Sequence, residues 1–181
     1  MRNLTYIIGI PASGKSTAMS NALKGVEEGE DVPQPFPFTW HRKKELIVLG
    51  KDREEFSGTD AMPYSVMPKV LSFIKDPTTR HNTILGEGDR LANNNFFKGC
   101  FYGGWDLNIV LIDTPPDIAE RRCFQRRSKQ SASWRAGRIT KVNKLVRRWR
   151  KYITVIDGLQ SEEDIAEQLK SLEGFKRIHG E

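Results

Sequence analysis

Cysteine is scarce in this sequence: Cys100 and Cys123 are the only two in 181 residues, and neither stands at metal-ligand spacing from the other. That excludes a disulfide framework and a thiolate metal centre, and it makes a reducing cytoplasm the expected setting. Long apolar runs are missing too. No stretch approaches the roughly 18 residues that a membrane span needs, so no membrane partner is expected. The first apolar stretch runs straight into a glycine-rich loop, which is not the layout of a signal peptide. Internal repeats and low-complexity tracts are also absent. Finally, acidic residues almost vanish between Asp117 and Lys151, where 13 Lys and Arg face only Asp117 and Glu120. This segment carries +11 in a chain of net +6, leaving −5 for the remainder. Such a concentrated block reads as a polyanion site, although a solvated helical face would look similar.

What is present fits one α/β domain spanning residues 1–181, with the basic segment 117–151 inside it. Hydrophobic residues make up 38% and charged residues 29% of the chain, a composition that supports a sizeable core. The most informative run is Gly9-Ile10-Pro11-Ala12-Ser13-Gly14-Lys15-Ser16-Thr17, which satisfies G-x-x-x-x-G-K-[ST] in full. A β-branched apolar run, Leu4 to Ile10, leads into it. Helical spacing of Ala18, Ala22, Leu23 and Val26 follows from Lys15 onward. A strand, a glycine-rich turn and a helix N-terminus together wrap backbone N–H groups and a helix dipole around phosphate oxygens. Gly9, Ala12, Ser13, Gly14, Lys15, Ser16 and Thr17 are therefore the expected triphosphate cradle. Lys15 would reach the β- and γ-phosphates, and Ser16 would ligate Mg²⁺.

The rest of the chain alternates strand-like and helix-like patterns. Strands are expected around Thr39-Trp40 (an edge strand), Glu45–Leu49, Thr83–Leu85, Leu107–Ile112 and Ile153–Ile156. Helices are expected over Ser65–Asp76 and Asn93–Tyr102. Another runs from Asp117, followed by a looser stretch from Ser128 to Gly137 and a second helix to about Lys151. A closing helix is capped by Ser161, with Ile165, Leu169 and Leu172 facing the core. Glu27 to Pro37 reads as a surface loop. This alternation predicts a mainly parallel sheet covered by helices on both faces. Ligands should then gather at the carboxyl ends of the strands, where Gly9, Gly50, Glu87 and Asp113 should share one cleft.

Several residues beyond the loop could carry phosphoryl-transfer chemistry. Glu87, flanked by Gly86 and Gly88 at a strand end, suits the carboxylate on the metal side. Asp60, ahead of a helix, could accept the proton of an attacking hydroxyl, and Asp52 competes for that task. Arg90 could pair with Glu87 or grip an acceptor phosphate. Arg122 and Arg126, at i and i+4, could close over the triphosphate as a lid. Trp134, Arg135, Arg138, Lys141, Lys144 and Arg147 interleave cations with an aromatic ring, as nucleic-acid sites do. Trp149 could belong to that set or to the core.

In their order these pieces resemble small P-loop kinases of the nucleoside, nucleotide and polynucleotide kinase group, over nearly the whole chain. That resemblance implies an adenylate-kinase-like architecture with an Arg-rich lid. Four stretches more narrowly resemble a bacteriophage branch of DNA-modification kinases. They are Leu49-Gly50 with Phe56-Ser57-Gly58-Thr59-Asp60; Glu87-Gly88-Asp89-Arg90-Leu91-Ala92-Asn93; Trp134-x2-Gly137-Arg138-x2-Lys141; and Asn143 before Leu145. That branch implies ATP with Mg²⁺, DNA as the substrate, 5-hydroxymethyluracil as the acceptor, Asp60 as the base and Glu87 as the metal-side carboxylate. Two other functions fit the same motif: a deoxynucleoside monophosphate kinase, and a binding or motor module regulated by a nucleoside triphosphate.

Overall fold

The computed structural model describes residues 2–50, 57–76 and 81–179. Seven strands among these residues form one sheet: β1 (Asn3–Ile8), β2 (Glu30–Val32), β3 (Phe38–His41), β4 (Leu46–Leu49), β5 (Thr83–Glu87), β6 (Asp106–Asp113) and β7 (Ile153–Asp157). Their spatial order is β2-β3-β4-β5-β1-β6-β7. β4, β5, β1, β6 and β7 run parallel, while β3 pairs antiparallel with β4, and β2 with β3. The helices are α1 (Lys15–Ala22), α2 (Met67–Lys75), α3 (Asn94–Tyr102), α4 (Pro116–Gln125), α5 (Ala132–Trp149), α6 (Glu162–Lys170) and α7 (Glu173–His179). None of the described helices is long and apolar enough to cross a membrane.

β1 is central because every one of its side chains is buried, a pattern only a strand covered on both faces tolerates. Its period-2 alternation builds both halves of the core. Leu4, Tyr6 and Ile8 face a cluster with Val70 and Ile74 of α2, Phe96 and Phe97 of α3, and Leu145 and Trp149 of α5. Ile7 faces the other side with Ala18 and Met19 of α1, Ile165 and Leu169 of α6, and Phe175 and Ile178 of α7. The expected α/β architecture with helices on both faces is the one observed.

Local departures have physical causes. The acidic, Pro-rich stretch read as a loop contains β2, which forms the sheet edge, so the strand at Thr39-Trp40 is paired on both sides. The segment read as loose to Gly137 is already helical from Ala132, because the Ser131 side chain accepts a hydrogen bond from Trp134 N at 3.2 Å and caps α5. α6 begins at its Ser161 cap as expected, yet it is not the closing helix: α7 follows and buries Phe175 and Ile178. β5 runs on to Glu87, so that carboxylate stands on the strand itself.

Candidate active site

Gly14, with φ near +97°, turns the chain from the loop into α1. Lys15 Nζ lies back on its own loop, donating to Gly9 O and Ile10 O at 2.9 Å each. Burial pushes its pKa below the ordinary lysine value, and the carboxylates of Glu87, Asp60 and Asp89 pull it back up. The loop is braced from β6 by Thr114 Oγ1, which donates to Ser13 O at 3.2 Å.

Glu87 is buried, with 4% of its surface exposed. Its Oε1 accepts from Ser16 Oγ at 3.0 Å and from Ser57 Oγ at 3.3 Å. Burial raises its pKa against the opposing pull of Lys15 and the two hydroxyls. A Cβ on Gly58 would stand 2.2 Å from Glu87 Oε1, at a φ of +57°, so glycine is the residue that lets this turn close over the carboxylate. Mg²⁺ fits this pair: a serine hydroxyl and one buried carboxylate meet at the phosphate loop. No group of three or more His, Cys, Asp or Glu among the described residues could hold a metal unaided. A hard cation that completes its shell with water and substrate phosphates matches that donor set.

Asp60 lies in the 3-10 turn Gly58–Ala61, and its Oδ1 accepts from Asp89 N at 2.8 Å and Arg90 N at 3.0 Å. Beneath it, Thr59 Oγ1 and Tyr6 OH lie 2.8 Å apart, with Thr59 Oγ1 2.9 Å from Glu87 O and Tyr6 OH 3.0 Å from Gly88 O. The ends of β1 and β5 and the Asp60 turn are thus knitted together. Arg90 does not pair with Glu87; its guanidinium lies 3.6 Å from the centre of the Tyr64 ring, which is 89% exposed. Asp52 lies outside the described residues.

The expected shared cleft is only partly realised. Ser16, Gly50, Gly58 and Glu87 line one cavity of about 330 Å³, which continues along α1 towards Asp31, Thr39 and His41. Asp113 does not line it: its carbonyl accepts from Gly158 N at 2.7 Å and its side chain faces solvent. Arg122 donates to Gly158 O at 3.3 Å, and Arg126 is exposed at the end of α4, so neither touches the phosphate loop here.

The basic segment divides into two sets. Arg138 and Lys141 both bind the Asp89 carboxylate, Lys141 at 2.9 Å, with Lys141 also donating to Asp89 O at 2.7 Å. Arg138 lies 5.0 Å from the centre of the Trp134 ring, and Arg135 pairs with Glu120 at 3.1 Å. Lys144 and Arg147 are exposed and form no ion pair among the described residues. Trp149 is core, edge-on to Phe97 and Tyr152. Sequence reasoning gave no role to Tyr64, Ser57 or Asp89, although the last two lie in stretches it quoted. Asp89 stands between two residues singled out there, and its signal was an acid facing a segment nearly devoid of them.

The family model of P-loop Nucleotide Kinase3 matches residues 1–173, and the chain belongs to that family. No curated protein matches the sequence. Among solved structures, deoxyadenosine kinase from M. mycoides with the products dCMP and a flexible dCDP bound is 11% identical, covering 92% of this chain and 95% of that one, with a TM-score of 0.49. The same enzyme with bound dATP is 16% identical over 92% and 96%, with a TM-score of 0.46. An unliganded sugar kinase from Janibacter sp. HTCC2649 is 13% identical over 98% and 96%, with a TM-score of 0.45.

Proposed function

We propose that this nucleotide-kinase family member transfers the γ-phosphoryl group of ATP to a hydroxyl, and that its acceptor is the 5-hydroxymethyl group of a uracil base in DNA. The convergence of Lys15, Ser16, Glu87 and Asp60 at the carboxyl ends of β1 and β5 carries the reading. Lys15 would leave Gly9 O and Ile10 O for the β- and γ-phosphates. Ser16 and Glu87 would hold Mg²⁺, which supplies charge neutralisation on the phosphate oxygens. Asp60, with Oδ1 fixed by two N–H groups, offers Oδ2 to the acceptor. The hydroxyl oxygen bonds to the γ-phosphorus, the bond to the β,γ-bridging oxygen breaks, ADP leaves, and the hydroxyl proton passes to Asp60. Tyr64, exposed and backed by Arg90, suits a stacked nucleobase beside that carboxylate. Arg122 and Arg126 would act by swinging in from α4 as the lid.

A deoxynucleoside monophosphate kinase is favoured by one observation. Arg135, Arg138 and Lys141 are already paired within the chain, which leaves fewer cations for a polymer. ATP labelled in the γ-phosphate, offered to hydroxymethyluracil-containing DNA and to the free mononucleotide side by side, separates the two. Label in DNA is expected. Label in the mononucleotide alone supports the second reading, and release of free phosphate without any acceptor supports a triphosphate-regulated module.

A further inference from the structure

We propose that the groove between the start of α3 and the middle of α5 is the track for the DNA strand flanking the reacting base, an inference that rests on the kinase reading above. The groove encloses about 780 Å³ and is lined by Asn93 and Asn94 on one side and Gly137, Lys144, Leu145 and Arg148 on the other. Its chemistry is divided as a nucleic-acid strand requires. Lys144, Arg147 and Arg148 are exposed, line it, and make no ion pair among the described residues, in contrast to Arg135, Arg138 and Lys141. Asn94 Oδ1 is buried without a hydrogen-bond partner among the described residues.

Gly137 is the independent observation. A glycine inside an 18-residue helix weakens that helix, and a Cβ built there meets none of the described residues within 4 Å. Packing within the chain therefore gives no reason for glycine at a position that lines the groove. Close approach of a ligand backbone does give one. From Lys141 to Arg148 the helix rises about 10 Å, enough to run beside more than one consecutive phosphate of a strand. The groove also opens beside the acceptor site. Lys141 lines it and binds Asp89, whose N–H is held by Asp60. A base taken out of its stack at Asp60 would leave its neighbouring nucleotides at this groove.

The test is fluorescence anisotropy of a labelled, unmodified oligothymidylate across a range of KCl concentrations, without ATP. Wild type should bind with a log–log salt slope of about −0.7 for each phosphate engaged. Lys144→Ala with Arg148→Ala should make that slope shallower by about 1.4 and weaken binding about tenfold or more at low salt. Gly137→Leu fills the groove without changing charge and strengthens the helix. It should weaken binding by a similar factor while its thermal midpoint stays at or above wild type. If both variants bind as wild type does, while wild type binds and phosphorylates DNA, the groove assignment falls and the kinase reading stands. If wild type binds no oligonucleotide and labels only the free mononucleotide, the groove assignment and the DNA acceptor both fall, and phosphoryl transfer to a small nucleotide stands. Displacement by polyglutamate as strong as by oligothymidylate would make the groove a general polyanion surface and overturn its assignment to DNA.

Discussion

Lys15 spends its ammonium on two carbonyls of its own loop, and Glu87 spends its carboxylate on two serines; both hold positions that a triphosphate and its cation would claim. Lys15→Ala should lower kcat by about 10²–10³ while the far-UV circular dichroism stays that of wild type. Glu87→Gln should raise the Mg²⁺ concentration needed for turnover, and its stability should respond to pH in a defined sense. Burial raises the Glu87 pKa above its ordinary value near 4.5, so the folded chain keeps a proton that the unfolded chain releases. Stability then falls as pH rises from 4.5 through the raised pKa. The glutamine variant loses that fall: its thermal midpoint should exceed wild type at neutral pH and converge with it below about pH 4.5. His81 shows the opposite sign. It is stacked between Phe73 and Trp105, its Nε2 is buried without a partner among the described residues, and burial pushes its pKa down to about 4. The unfolded chain takes up a proton near 6.5 that the folded chain refuses until about 4, so stability drops as pH falls across that window. His81→Phe should flatten this acid limb and add about 1 kcal/mol, roughly 2–4 °C in Tm.

Among the elements, α5 braces the turn that holds Asp60. Its grip on the Gly88–Arg90 turn runs through Asp89, and the same turn holds Asp60 by two N–H groups. Asp60→Asn should reduce kcat by about 10²–10⁴ with ATP affinity little changed; if Asp52→Asn shows that loss instead, the base is Asp52. Asp89→Asn should cost about 1 kcal/mol of stability, because the ion pairs it breaks are partly solvated. It should also lower kcat in stopped-assay kinetics without raising the KM for ATP. The glycine-rich loop and the glutamate at the end of β5 were legible in the sequence because a contiguous motif and a strand end define them. The hydrogen bonds that hold Asp60 were not legible, since its partners lie 29 and 30 residues away. The pairing of Arg138 and Lys141 was hidden for the same reason: a run of cations does not reveal which of them an acid elsewhere in the chain will neutralise. The start of α5 was misread because Ser and Gly residues look like loop until one serine is seen to cap.

At the scale of the molecule, alternating apolar strands and helical faces sufficed for the sheet and its two helical layers, because each strand buried on both sides must be covered twice. β2 was not legible, although β3 was: Pro33, Pro35 and Pro37 punctuate the stretch, and β2 has only three residues, none of them buried.

The strand order has a consequence for synthesis. β1 lies between β5 and β6, so the middle of the sheet is translated first and its two neighbours roughly 80 and 105 residues later. At about 5–20 residues per second, the apolar run Leu4–Ile8 emerges about 5–20 s before β6 can cover its second edge. Through that interval the nascent chain offers a largely apolar strand with at least one unpaired edge to any binding surface nearby. Ribosome-bound chains halted before Asp106 should therefore be protease-sensitive and held by chaperones, whereas chains halted well beyond Asp157 should already resist cleavage.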